Sequence, residues 1–170
     1  MTWLFGMQGE DGKRLSRPLL RRAAALAWGW RALPELARSG RGKPYFRHWP
    51  EKWFSLSHSG GLTLCALSDD GPVGVDVEVE RPRRPGLMAY ALSPAEQAAC
   101  RGDWGEFYRL WTLKESWCKR EDSPLYPPRE VVTPPPCPHR SYTGPGWRGA
   151  VCCSGTPPED VLWMEPEETP

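Results

Sequence analysis

Val73-Gly74-Val75-Asp76-Val77-Glu78 alternates apolar and polar residues with period two, the pattern of a half-buried β-strand. Val73, Val75, Val77 and Val79 share one face of it. Asp76 and Glu78 share the other, about 7 Å apart along the strand. Like charges so placed destabilise a strand unless a cation or a base neutralises them. Two readings follow: a solvated outer face that is merely acidic, or a site for a hard divalent cation, which prefers carboxylate oxygens.

A chain of 170 residues suffices for one domain, or for two small lobes sharing a core. Its net charge of +1 conceals an asymmetry: residues 1–53 carry eleven Lys/Arg against four Asp/Glu, and the remainder carries eleven against seventeen. A basic first third suits an anionic partner. The near-neutral balance of the whole is not the footprint of a nucleic-acid binder. Cys65, Cys100, Cys118, Cys137, Cys152 and Cys153 form no C-x-x-C pair. No stretch resembles a secretory signal or a membrane span. The expectation is a cytoplasmic protein with reduced, mostly buried thiols.

Residues 1–16 show no clear period. From Arg17 a helical pattern places Pro18 in the first turn after Ser16 and repeats through Leu19, Leu20, Ala23, Ala27 and Trp30. Gly40–Pro44 is a turn into the extended Tyr45–Phe46. Trp53–Ser57 reads as a strand ending at His58, which is either a donor to an anion or an ordinary turn histidine. Leu62–Leu67 and Val73–Val79 flank Asp69-Asp70-Gly71-Pro72 and read as a β-hairpin. Ser93-Pro94-Ala95-Glu96 is a capping box. Asp103–Lys119 is helical, with Phe107, Leu110, Trp111, Leu113, Trp117 and Cys118 forming an apolar stripe. Glu115 and Lys119 stand four apart on its flank, the spacing of a common surface pair worth only a few tenths of a kcal/mol. Lys114 falls inside the apolar arc and calls for an anionic partner, with Asp76 or Glu78 as candidates. Trp147–Cys153 and Asp160–Met164 are strand-like, and the acidic tail after Met164 is expected to fray.

Taken in order, Gly42-Lys43-Pro44, Phe54-Ser55-Leu56-Ser57-His58-Ser59, Val73–Glu78 and Phe107–Lys119 resemble the signature series of the 4′-phosphopantetheinyl transferases. The likeness is to the large, surfactin-synthetase-activating type and runs over roughly residues 14–165. It implies an α+β fold of two pseudo-symmetric lobes, each a helix packed on a small antiparallel sheet, with the active site in the cleft between them. The lobes would be residues 1–80 and 81–165, with 166–170 a frayed tail. The implied reaction moves the 4′-phosphopantetheine arm of coenzyme A to a serine of an apo acyl or peptidyl carrier protein, releasing adenosine 3′,5′-bisphosphate.

By the same resemblance Asp76, Glu78 and Glu115 would hold Mg²⁺, with Mn²⁺ as the alternative. Glu115 would act as base, and Lys119 would contact a phosphate and protonate the departing oxygen. Lys43, His58 and Arg17 would hold the phosphates of coenzyme A. A monomeric pseudo-dimer is expected, acting on neither nucleic acid nor membrane; the smaller, trimeric holo-carrier-protein synthase type lacks this combination of motifs. Large-type members carry a further N-terminal segment, so the chain is expected to have a shortened N-terminus. That departure leaves a non-catalytic module binding coenzyme A or carrier protein as the alternative.

Overall fold

A computed structural model describes residues 1–84, 86–124 and 127–167. In chain order the elements are β1 (Thr2–Gln8), α1 (Gly12–Trp28), β2 (Leu36–Arg38), β3 (Pro44–Phe46), β4 (Trp53–Ser59), β5 (Leu62–Ser68), β6 (Gly74–Val79), α2 (Gly86–Ala91), α3 (Pro94–Cys100) and α4 (Trp104–Glu121). A 3₁₀ turn at Pro128–Glu130 leads to β7 (His139–Gly144), β8 (Trp147–Cys152) and β9 (Leu162–Met164). One sheet has the order β4-β5-β1-β9 and a second the order β6-β8-β7; β2 and β3 form a separate ribbon. All pairings are antiparallel except β1 with β9.

The period-two runs decide the layers. Leu19, Leu20 and Ala23 of α1 pack on Phe5, Met7, Cys65 and Leu67 of the first sheet. The reverse face of that sheet, with Leu4, Leu64 and Ala66, meets Val75, Val77, Tyr142 and Val151 of the second. α4 covers the far face of the second sheet, against β6 and β8. Each large apolar side chain so buried contributes roughly 1.5–3 kcal/mol. The fold is therefore α+β, with one long helix on each of two mainly antiparallel sheets, as expected. No helix among the described residues is long and apolar enough to cross a membrane.

Four expectations are corrected. The hairpin over 62–79 does not form: β5 pairs with β1 and β4, whereas β6 steps to the second sheet and pairs with β8. Alternation fixes which face of a strand is buried but says nothing about its neighbour. Thr2–Gln8, read as unpatterned, is a strand buried on both faces, so its side chains need not alternate. α1 starts before Arg17, because the Asp11 carboxylate accepts the Lys13 N–H at 2.9 Å and caps it, leaving Pro18 inside the helix. Lys114 is fully buried but reaches neither strand acid; its ammonium donates to Glu96 at 2.7 Å and to the carbonyls of Ala91 and Pro128. Glu96 is also the capping-box glutamate of α3, so one carboxylate serves both elements.

The acidic tail is only partly as expected. Arg21 pairs with Glu167 at 2.7 Å and Arg22 donates to the Glu165 carbonyl, which lays this segment along α1. Residues 168–170 lie outside the described residues.

Gly74 explains how α4 comes to lie on β6. A Cβ there would stand 2.0 Å from the Ser116 carbonyl oxygen and 2.5 Å from the Arg120 nitrogen, both backbone atoms of α4. Only glycine lets the helix sit this close, and closeness is what brings Glu115 and Lys119 over the acid-bearing face. Gly74→Ala is expected to cost about 1–3 kcal/mol through forced separation of helix and strand. Urea unfolding would show this as a lowered midpoint, while Gly40→Ala, with open space around the added methyl, leaves the midpoint unchanged or slightly raised.

Candidate active site

The site begins on β4, where alternation puts Ser55, Ser57 and Ser59 on one face and Phe54, Leu56 and His58 on the other. The three serine oxygens accept the backbone N–H groups of Val75, Val77 and Val79 at 3.1, 3.2 and 3.1 Å. These belong to the edge of β6 that β8 does not use. Two of the serines also donate: Ser57 to Asp76 Oδ1 at 2.8 Å, and Ser59 to Glu78 Oε2 at 2.9 Å. Ser55 accepts the Val75 N–H but donates to no carboxylate among the described residues.

From α4, the Lys119 ammonium reaches Asp76 Oδ1 at 2.7 Å and Ser57 Oγ at 3.1 Å. Asp76 is 3% exposed, which rules out the solvated-face reading of the strand. Its second oxygen, Oδ2, is buried and has no hydrogen-bond partner among the described residues. Glu115 lies one helical turn before Lys119. Burial, with the charges of Asp76 and Glu78, pushes its carboxyl up to about 7, against the pull of Lys119. Burial and Asp76 raise Glu78 as well.

Glu115 and Lys119 form one wall of a cleft of about 400 Å³; Lys43, Pro44, Phe54 and Leu56 form the other. An adjoining depression of about 450 Å³ shares Lys43, Pro44 and Phe54 and is lined by Phe46, Trp49 and Trp53. The Lys43 ammonium donates to the carbonyl of Lys119 at 2.6 Å and to that of Val73 at 3.2 Å, bridging the turn before β3 to the end of α4 and the start of β6. Burial lowers its pKa to about 8.

Asp76, Glu78, Glu115 and Lys119 are thus brought together, with Lys43 on the facing wall. His58 is exposed, two residues beyond Leu56 on the same strand face. Arg17 is exposed on α1 and lines a separate depression with Arg21 and Arg31, apart from the cleft. The serines stand in the motif Phe54–Ser59, which by itself assigns them no role. Their signal was present in the Ser-x-Ser-x-Ser alternation, but the strand they face was not readable.

Among the described residues, no three His, Cys, Asp or Glu side chains are arranged to hold a metal ion as they stand. Lys119 occupies one oxygen of Asp76. The donor chemistry nonetheless fits a hard cation. An orphaned buried carboxylate oxygen and two carboxyls held above their ordinary range by burial and mutual repulsion are what such an ion would satisfy.

Residues 72–142 match the family model described as the 4′-phosphopantetheinyl transferase superfamily. Among curated proteins, the 4′-phosphopantetheinyl transferase AcpT of Salmonella typhi is 40% identical over 95 residues, covering 52% of this chain and 50% of the relative. AcpT of Escherichia coli strain K12 is 38% identical over 120 residues, 66% of this chain and 61% of the relative. The 4′-phosphopantetheinyl transferase Sfp of Bacillus subtilis strain 168 is 31% identical over 150 residues, 75% of this chain and 66% of the relative. The chain thus spans between half and about two thirds of the length of these relatives.

The crowding of acids predicts an inverse pH effect. Glu115 has an ordinary value of 4.5 and a raised value of about 7 in the fold, so the native state binds the proton more tightly than the unfolded chain. Its contribution is fully present below pH 4.5 and is lost as pH rises through 7. Glu115→Gln, a neutral isostere, is therefore expected to melt above the parent at pH 8 in the presence of a chelator. The two should converge near pH 4.5. Thermal unfolding at the two pH values checks both the sign and the convergence.

Proposed function

We propose, because this chain belongs to the 4′-phosphopantetheinyl transferase superfamily, that it transfers the 4′-phosphopantetheine arm of coenzyme A to a serine of an apo acyl or peptidyl carrier protein, releasing adenosine 3′,5′-bisphosphate. The observation that carries this reading is geometric: Glu115 and Lys119 stand one turn apart on a cleft wall, with Lys119 in contact with Asp76, and Lys43 on the facing wall. A carboxylate held within reach of a reacting hydroxyl can take its proton as general base. Glu115 takes the proton of the carrier serine as the serine oxygen attacks the β-phosphorus of the pyrophosphate. The bond that breaks joins this phosphorus to the bridging oxygen, which leaves with the adenosine bisphosphate. Lys119 meets the charge that builds on that oxygen and donates its proton there.

Asp76, Glu78 and Glu115 would hold Mg²⁺, or Mn²⁺ in its place. Bound there, the cation would offset the charge of the pyrophosphate. Lys43 lines the same cleft as Glu115, which supports a role for it at the phosphates. His58 and Arg17 are proposed for the same polyanion on the strength of the motifs alone. The protein would act as a monomer, one cleft between its two lobes, in the cytoplasm, where thiols stay reduced.

Incubation with coenzyme A, Mg²⁺ and a panel of apo carrier proteins is expected to add one phosphopantetheine arm to a single carrier serine, read by mass spectrometry. Glu115→Gln should lower kcat by about 10²–10⁴-fold while leaving the KM for coenzyme A within a few-fold. An equal loss in both would make Glu115 a binding group rather than a base.

A further inference from the structure

The serines of β4 are not equivalent, and their difference is built into the strand they face. Each oxygen accepts one backbone N–H from β6, so each joins the two sheets. A serine hydroxyl has a single hydrogen. For Ser57, whose oxygen takes the Val77 N–H and also lies 3.1 Å from the Lys119 ammonium, that hydrogen is directed to Asp76 Oδ1. For Ser59, whose oxygen takes the Val79 N–H, it is directed to Glu78 Oε2. Both hydroxyls therefore grip one oxygen of a carboxylate and leave the other ungripped, as the partnerless Asp76 Oδ2 shows. Ser55 accepts the Val75 N–H and holds no carboxylate among the described residues.

We infer that Ser57 and Ser59 are positioning residues, which set the orientation of Asp76 and Glu78 toward a divalent cation, whereas Ser55 only joins the sheets. The inference rests on the metal-dependent transferase reading. Groups that orient cation ligands through one hydrogen bond change cation affinity or activity by about 10–100-fold when removed. A residue that only joins two sheets changes stability without moving that affinity in the folded protein.

Three single variants separate the roles: Ser55→Ala, Ser57→Ala and Ser59→Ala. All three are expected to melt below the parent, since each orphans a β6 N–H. Mn²⁺ binding to the full chain without coenzyme A, followed by electron paramagnetic resonance well below each melting temperature, reads the ligand set directly. Ser55→Ala should bind Mn²⁺ within about twofold of the parent, and Ser57→Ala and Ser59→Ala about 10–100-fold more weakly. Ser57→Thr, which keeps the hydroxyl, should recover most of the affinity. Equal affinity in all three alanine variants overturns the positioning role while leaving the transferase reading intact. A parent that transfers the arm but binds no Mn²⁺ overturns the positioning role alone. A parent that does neither overturns the transferase reading, and the positioning with it.

Discussion

A β-strand has two edges, and β6 spends only one on another strand. The other edge carries the N–H groups of Val75, Val77 and Val79, and three serine hydroxyls satisfy them where carbonyls normally would. A buried N–H left without a partner costs about 1–3 kcal/mol, so three in a row could not be left open. Side-chain oxygens can take this role because β4 alternates, placing a hydroxyl at every second residue in step with every second N–H of β6. Backbone carbonyls could accept these protons but could not donate in return. Serine does both, so the bonds joining the sheets also orient the acids. Fold and site share the same atoms here.

The opposite wall is held just as firmly and by different means. Gly74 lets α4 approach β6 to backbone contact, and Lys114 ties the middle of α4 outward to Glu96, Ala91 and Pro128. Adjacent residues on a helix point about 100° apart, so anchoring Lys114 away from the cleft sets Glu115 toward it. A fully buried ammonium adds little net stability against desolvation, yet removing one partner of such a pair typically costs about 3–5 kcal/mol. The pair therefore resists displacement of α4 more than it stabilises the fold. Lys43 closes the arrangement by gripping the carbonyl of Lys119 from the turn before β3.

What could be read from the sequence were periodicities and their faces. The alternation of 73–79 located the acids, and the helical spacing of 104–119 placed Glu115 beside Lys119. The capping box at Ser93–Glu96 is present as read. What could not be read were partners. Asp69–Pro72 does turn the chain, but it hands it to another sheet, because the complementary strand of β6 is some seventy residues further on. Lys114 fell in an apolar arc whose cover, α2, α3 and the 3₁₀ turn, is invisible to a helical wheel. Trp111 and Trp117, counted in that arc, remain half-buried, while Thr112 and Ser116 are fully buried. Polar groups whose hydrogen bonds are met locally pass as core, and hydropathy does not register that.

The electrostatics of the cleft favour one kind of occupant. Asp76, Glu78 and Glu115 face one another with Lys119 as the cation in contact, and burial together with their repulsion raises the carboxyls of Glu78 and Glu115. Such crowding lowers stability and is retained in proteins where a site requires it. Taken alone, these acids would repel a pyrophosphate, and Lys43 and Lys119 offset only part of that repulsion. An acidic cluster is compatible with a polyanionic substrate if Asp76, Glu78 and Glu115 hold a divalent cation, which would supply positive charge to offset both. The orphaned oxygen of Asp76 is the group with most to gain from that arrangement, and Ser57 leaves it free by holding the other.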